Sequence, residues 1–173
     1  FGFGFATEET SRISVDALGF RLIAPIGRLV KVLDYAHYFS RRLGISTPGP
    51  VRRGTRGLIK WREERRGRGE IHLSVVRRFD ERFDQLWKDA ARGPIMIVRE
   101  TAYLNWRYVE CPTVSYRELG AEKGGALKGF IVLRARTVDG VTLGIIDDFV
   151  CVPHEPDVAE TLIAGATTNL MDQ

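Results

Sequence analysis

The chain has 173 residues, of which 44% are hydrophobic and 28% charged, with a net charge of +4. That composition is typical of a soluble globular protein, and no apolar run approaches the roughly 20 residues a membrane-spanning helix needs. Two cysteines, Cys111 and Cys151, without His or Cys neighbours at ligand spacing, argue against a zinc or other metal site and against a disulfide scaffold, so a reducing, cytoplasmic setting is expected. The net charge is uneven: residues 51–70 hold eight Arg/Lys against three Glu, and the remainder of the chain sums to −1. A basic stretch of this kind suits phosphates, nucleic acid or anionic lipid, or is simply a solvated linker.

Phe1-Gly2-Phe3-Gly4-Phe5 alternates as the end of a buried strand would, and Met171-Asp172-Gln173 leaves a helical pattern without a stop signal. The chain therefore reads as a piece of something longer, with flanking segments missing. From Thr7, a good N-cap followed by Glu8 and Glu9, the pattern is helical up to Gly19. Residues 20–33 read as an apolar, β-branched strand bent near Pro25 and Gly27. Residues 34–43 read as a short helix ending at Gly44. Pro48, Gly49, Pro50, Gly54 and Gly57 make residues 46–57 the best linker, and a domain boundary is expected there.

Beyond it, residues 58–61 and 71–76 are strand candidates separated by a charged turn. Phe79, Phe83, Leu86, Trp87 and Ala90 fall at helical spacing before Gly93-Pro94, and residues 95–98 form an apolar run that reads as a buried strand. Tyr103-Leu104-Asn105-Trp106-Arg107-Tyr108 makes an aromatic helix that Pro112 prevents from continuing. Three strands follow, at residues 116–122, 127–137 and 141–152. Lys123-Gly124-Gly125 and Asp139-Gly140 join them as hairpin turns, so an antiparallel meander is inferred. Pro156 and Asp157 then open a helix in which Val158, Leu162, Ala166 and Leu170 recur every four residues.

The order helix, short strand, helix, three antiparallel strands, helix, with the aromatic run at 103–108 as its sharpest element, resembles the GNAT (acyl-CoA N-acyltransferase) superfamily. The front, Ser11-Arg12-Ile13 through Leu18-Gly19-Phe20, is similar to the closing helix and strand of a GNAT lobe. Together they imply an α/β fold of mixed α+β type, with a largely antiparallel central sheet flanked by helices. Residues 1–33 would be the tail of one GNAT-like lobe, 34–70 a helix and basic linker, and 71–173 the front of a second lobe.

The resemblance implies an N-acetyltransferase moving an acyl group from acetyl-CoA to the amine of a small molecule or peptide. Phe149, Val150, Cys151 and Val152, on the third meander strand, would hold the cofactor's pantetheine. Asp147 and Asp148 are the general-base candidates; strict alternation would send their side chains to opposite faces, so that only one enters a cleft. Trp106 and Arg107 would line the acceptor groove, although Tyr103 with Trp106 and Leu104 with Tyr108 equally describe two packing faces of one helix.

Departures from the family pattern are equally specific. After the cofactor strand, Val152-Pro153-His154-Glu155-Pro156-Asp157 has no glycine and no Arg, removes two amide donors and adds two acids where a pyrophosphate would sit. Val15 stands where family members often carry a Tyr general acid. These departures support an alternative in which this is a non-catalytic, degenerate lobe that binds a partner or presents a substrate. An RNA-binding reading fares worse, because residues 137–173 contain no Lys or Arg with which to meet a phosphate backbone.

Overall fold

The computed structural model describes residues 7–21, 29–44, 49–66, 70–91, 93 and 96–171. The chain divides into two compact units, residues 1–31 and 32–173. In the first, helix α1 (Glu8–Asp16) begins at Thr7, whose hydroxyl accepts the Thr10 amide. The expected strand at 20–33 lies in part outside the described residues; its described flanks, 20–21 and 29–33, form no strand.

The second unit is built on a four-stranded antiparallel sheet in the order β1-β2-β3-β4. Its strands are β1 (Ile71–Val76), β2 (Arg117–Lys123), β3 (Ala126–Val138) and β4 (Val141–Cys151). Both hairpins turn through positive φ, at Gly124-Gly125 and at Asp139-Gly140, the condition that a tight two-residue turn imposes.

Alternation along β3 sends successive side chains to two cores. Phe130 and Val132 meet α4 (Glu81–Ala90), α5 (Thr101–Leu104) and the turn that extends α5, with Phe83, Leu86, Leu104 and Tyr108 around them. Ile131 and Leu133 face α6 (Pro156–Met171), where Val158, Leu162 and Ala166 complete the second core. Both faces of the sheet are therefore covered. Gly129 marks the closest approach of α6: a Cβ there would lie 2.8 Å from the Val150 carbonyl oxygen and 2.9 Å from Leu162 Cδ1.

Three expectations are corrected. Of the linker expected at 46–57, residues 46–48 lie outside the described residues and 49–57 open an 18-residue helix, α3 (Gly49–Arg66), which packs on α6 and on α2 (Tyr35–Leu43). Local propensity is overruled there by tertiary contact, for Glu63 is buried and the Arg56 guanidinium donates to the Met171 carbonyl. The strand expected at 58–61 is part of the same helix. The apolar run at 95–98, of which Ile95 lies outside the described residues, is not a buried strand: Met96, Ile97 and Val98 are exposed and pair with no strand.

Candidate functional site

Helix α4 starts at Asp80, whose carboxylate accepts the Arg82 amide, and its Phe83, Leu86 and Trp87 anchor it to the sheet. The aromatic helix is α5 followed by one π-helical turn, Asn105–Val109, closed by an amide of Glu110 donating to the Asn105 carbonyl at 2.8 Å. Asn105 explains its position. Its buried side-chain amide accepts the Phe79 N–H at 3.0 Å and donates to the Phe79 carbonyl at 2.9 Å, tying the helix to the start of α4. The wider turn leaves Trp106 outside, 65% exposed. Arg107 instead lies against the Tyr108 and Tyr116 rings and donates to the Tyr116 hydroxyl, which raises its pKa. Of the two groove candidates, Trp106 faces solvent and Arg107 is held within the aromatic packing.

On β4 the register slips between Val132 and Leu133 of the partner strand, which face Asp148 and Ile146, leaving Asp147 as the extra residue of a β-bulge. The bulge breaks the alternation assumed for the two aspartates. Asp147 accepts from Arg134 Nε at 2.6 Å, and Arg134 follows Val132 on the face of α4 and α5. Asp148, 7% exposed, lies on that same face. Both its oxygens are within reach of Arg99 Nε, at 2.8 and 2.9 Å; Oδ2 also accepts from the Tyr108 hydroxyl and Oδ1 from the Phe149 amide. Burial, and then the adjacent carboxylate, push the Tyr108 phenol above its ordinary pKa. Arg99 in turn lies over the Trp87 ring. Asp148 is thus a fully occupied anchor between β4, the π-turn and the segment before α5.

The expected cofactor residues continue this strand. Val150 is in the first core, Cys151 packs against the second and Phe149 is exposed. The Val152 amide donates to the Lys128 carbonyl, so by alternation the amides of Cys151 and Phe149 point away from β3 toward the outer edge of β4. Burial raises the Cys151 thiol pKa, assisted by the carboxylates of Glu155 and Asp157.

Acetyl-CoA, which the resemblance implies, needs a cradle for its pyrophosphate. The N-terminus of α6 carries Glu155 and Asp157 instead, bridged by Lys123 Nζ at 2.6 and 2.7 Å. That bridge lowers the Asp157 pKa and raises that of Lys123. The protein supplies its own anions there, and a pyrophosphate does not fit.

A different concavity lies between the start of α4, the start of α5 and the π-turn. It is an open hollow of about 600 Å³ lined by Phe79, Thr101, Ala102 and Asn105, with Asp84, Glu100, Glu110 and Arg78 as its charged groups. Asp84 accepts the Thr101 amide and Arg78 pairs with Glu110. Three carboxylates against one guanidinium leave its lining with an excess of two negative charges. Neither Trp106 nor Arg107 lines it.

Comparison with protein-family models, with curated proteins and with solved structures found no match. The site is therefore read from its own chemistry.

Sequence reasoning missed Arg99 and Glu118, and gave Tyr108 a packing role without its bond to Asp148. Glu118 is buried in the row Val76, Glu118, Val132, Asp148 that crosses the sheet, with no cation against it among the described residues, and burial raises its pKa. A carboxyl whose pKa the fold raises contributes its full stability below the unfolded pKa of about 4.3 and loses that contribution as pH rises from there through the folded pKa. Glu118→Gln is accordingly expected to melt at a higher temperature than the parent chain at pH 7 and at the same temperature near pH 3.5. A lower melting temperature at pH 7, or a difference that does not change with pH, would show that the charged form is paired.

Proposed function

We propose that this chain is a substrate-presenting lobe of a GNAT-type N-acyltransferase, which moves an acyl group from acetyl-CoA to an amine. The order of its strands and helices supports the family reading. The observation that carries the acceptor assignment is the 600 Å³ cleft with Asp84, Glu100 and Glu110 in its lining, which suits an ammonium group. This lobe's part is to bind and orient the amine. The self-neutralised N-terminus of α6 supports placing the donor's phosphates outside this lobe.

Asp148, enclosed by Arg99 and Tyr108, acts here as a positioning residue for β4. Asp147, in the bulge, is the more accessible of the two carboxylates, with Arg134 holding it.

The test uses the full-length protein. Glu100→Gln combined with Glu110→Gln is expected to raise KM for a primary amine roughly tenfold at unchanged kcat, the signature of binding lost equally from the ground and transition states. An unchanged KM would remove the cleft from the acceptor site. Calorimetry with acetyl-CoA separates the two halves of the reading. No binding by the full-length protein would overturn the acyltransferase, whereas tight binding to this chain, lost on substitution at 153–157, would overturn the placement of the donor.

A further inference from the structure

Strand β1 forms one margin of the sheet, and among the described residues no strand pairs with its outer edge. Every second residue of β1 therefore turns an N–H and a C=O outward. Open edges usually carry a device against pairing, such as an inward-pointing charge, a proline, a bulge or a very short strand. β1 carries none of these. Its residues, Ile71-His72-Leu73-Ser74-Val75-Val76, include no Asp, Glu, Lys, Arg, Pro or Gly, and its register with β2 runs unbroken, in contrast to the bulge on β4. Ile71 and Leu73 pack against the core beneath α6, whereas Val75, next on that face, is 62% exposed. The charges stand only at the two ends, and they differ in sign. Glu70 precedes the strand and Arg77 follows it; both are exposed, and neither has an ionic partner among the described residues. Arg78 is already held by Glu110 and takes no part.

We propose that β1 is the interface of a two-fold dimer, pairing antiparallel with β1 of a second copy so that two four-stranded sheets become one continuous sheet. The pattern of the strand selects this occupant. Directly opposed residues of an antiparallel pair share a face, so the two-fold axis has to fall at a residue and not between two. With the axis at Leu73, Leu73 meets its own copy, Ile71 meets Val75, and His72 meets Ser74. Val75 is thereby covered on the face where α6 leaves it open. Glu70 of each copy comes within one residue of Arg77 of the other, so unlike charges close both ends of the pair. An in-register parallel pairing sets Glu70 beside Glu70 and Arg77 beside Arg77, and turns α6 of the second copy to the opposite face. The antiparallel arrangement is isologous and closed: it consumes the undefended edge and leaves only the bulged β4 strands at the outer margins.

Sedimentation equilibrium of the whole chain over roughly 5–500 µM tests this, and a single monomer–dimer equilibrium is expected. Val75→Lys sets an ammonium against Ile71 of the other copy twice in each dimer and is expected to weaken it at least roughly thirtyfold. Glu70→Lys is expected to weaken it several-fold, and Glu70→Lys with Arg77→Glu to restore the parent's value, because the two ends are then opposite in sign again. In hydrogen exchange, the outward amides of β1 should slow as the dimer fills, while those on the outer edge of β4 stay unchanged. These variants alter exposed side chains, so the dilute chain should keep the parent's circular dichroism and melting temperature. A chain that stays monomeric over this range, association indifferent to Val75→Lys, or a charge swap that fails to restore it overturns the proposal. Stepwise growth beyond the dimer, with the outer amides of β4 slowing as well, overturns it in favour of open edge-to-edge association.

Discussion

Asp148→Ala is expected to lower the unfolding free energy by about 3 kcal/mol, measured by urea denaturation at neutral pH. The carboxylate is the acceptor for Arg99, Tyr108 and the Phe149 amide together, so its removal strands a cation and a phenol on a closed face of the sheet. Losses of about 3–5 kcal/mol are usual when one member of a buried pair is deleted; the lower end applies because Arg99, with 23% of its side chain exposed, regains water. Asp148→Asn keeps the shape and part of the bonding and should lose less. Replacing Arg99 and Asp148 together by leucine should restore most of the stability, because no uncompensated charge then remains. A single Asp148→Ala variant within about 0.5 kcal/mol of the parent would mean that the network is solvated, and the anchoring role would fall.

The other large effect is expected at Phe130, which is 1% exposed in the middle of β3. Its ring meets Phe79 and Phe83 edge to face at centroid distances of 5.7 and 5.6 Å, and those two meet each other at 4.8 Å. Phe130→Ala removes the ring on which both others close and leaves a cavity that the paired strands on either side cannot collapse into. The expected cost is about 3–5 kcal/mol. Phe130→Leu, which keeps most of the volume, should cost less than half as much. Equal losses for the two variants would show that the trio's geometry, rather than its volume, holds the sheet to α4.

The sheet was legible because its signals are local. Gly124-Gly125 and Asp139-Gly140 demand positive φ, and the runs on either side of them pair with each other. Helix α4 was legible for the same reason, its apolar stripe having a 3.6-residue period. Helix α3 was not. Gly54 and Gly57 oppose a helix locally, and only packing on α6 and α2 supplies the stabilisation; Pro50 in the first turn, where proline costs least, was the one favourable signal.

Met96–Val98 misled because an apolar run resembles a buried strand whether or not a partner strand exists. In the fold this run leads to Arg99, whose bond to Asp148 spans 49 residues and leaves no periodic trace. Glu118 hid in an alternating strand that reads as half solvated, whereas helices cover both faces of this sheet. The cleft assembles Arg78 and Asp84 with Glu100 and Glu110 from two stretches of the chain, 78–84 and 100–110, which the Asn105 amide and the Thr101–Asp84 bond hold together.

The bulge at Asp147 has a consequence for solubility. Among the described residues no strand pairs with the outer edge of β4, and that strand carries Ile145, Ile146, Phe149 and Val150, a composition suited to adding the same strand from another molecule. A flat ladder of this kind is a template for association between molecules. An extra residue twists the edge out of register, a recognised means of refusing an incoming strand. It is thus the extra residue of the bulge, and not the carboxylates that Arg134 and Arg99 neutralise, that turns this edge away from a flat ladder.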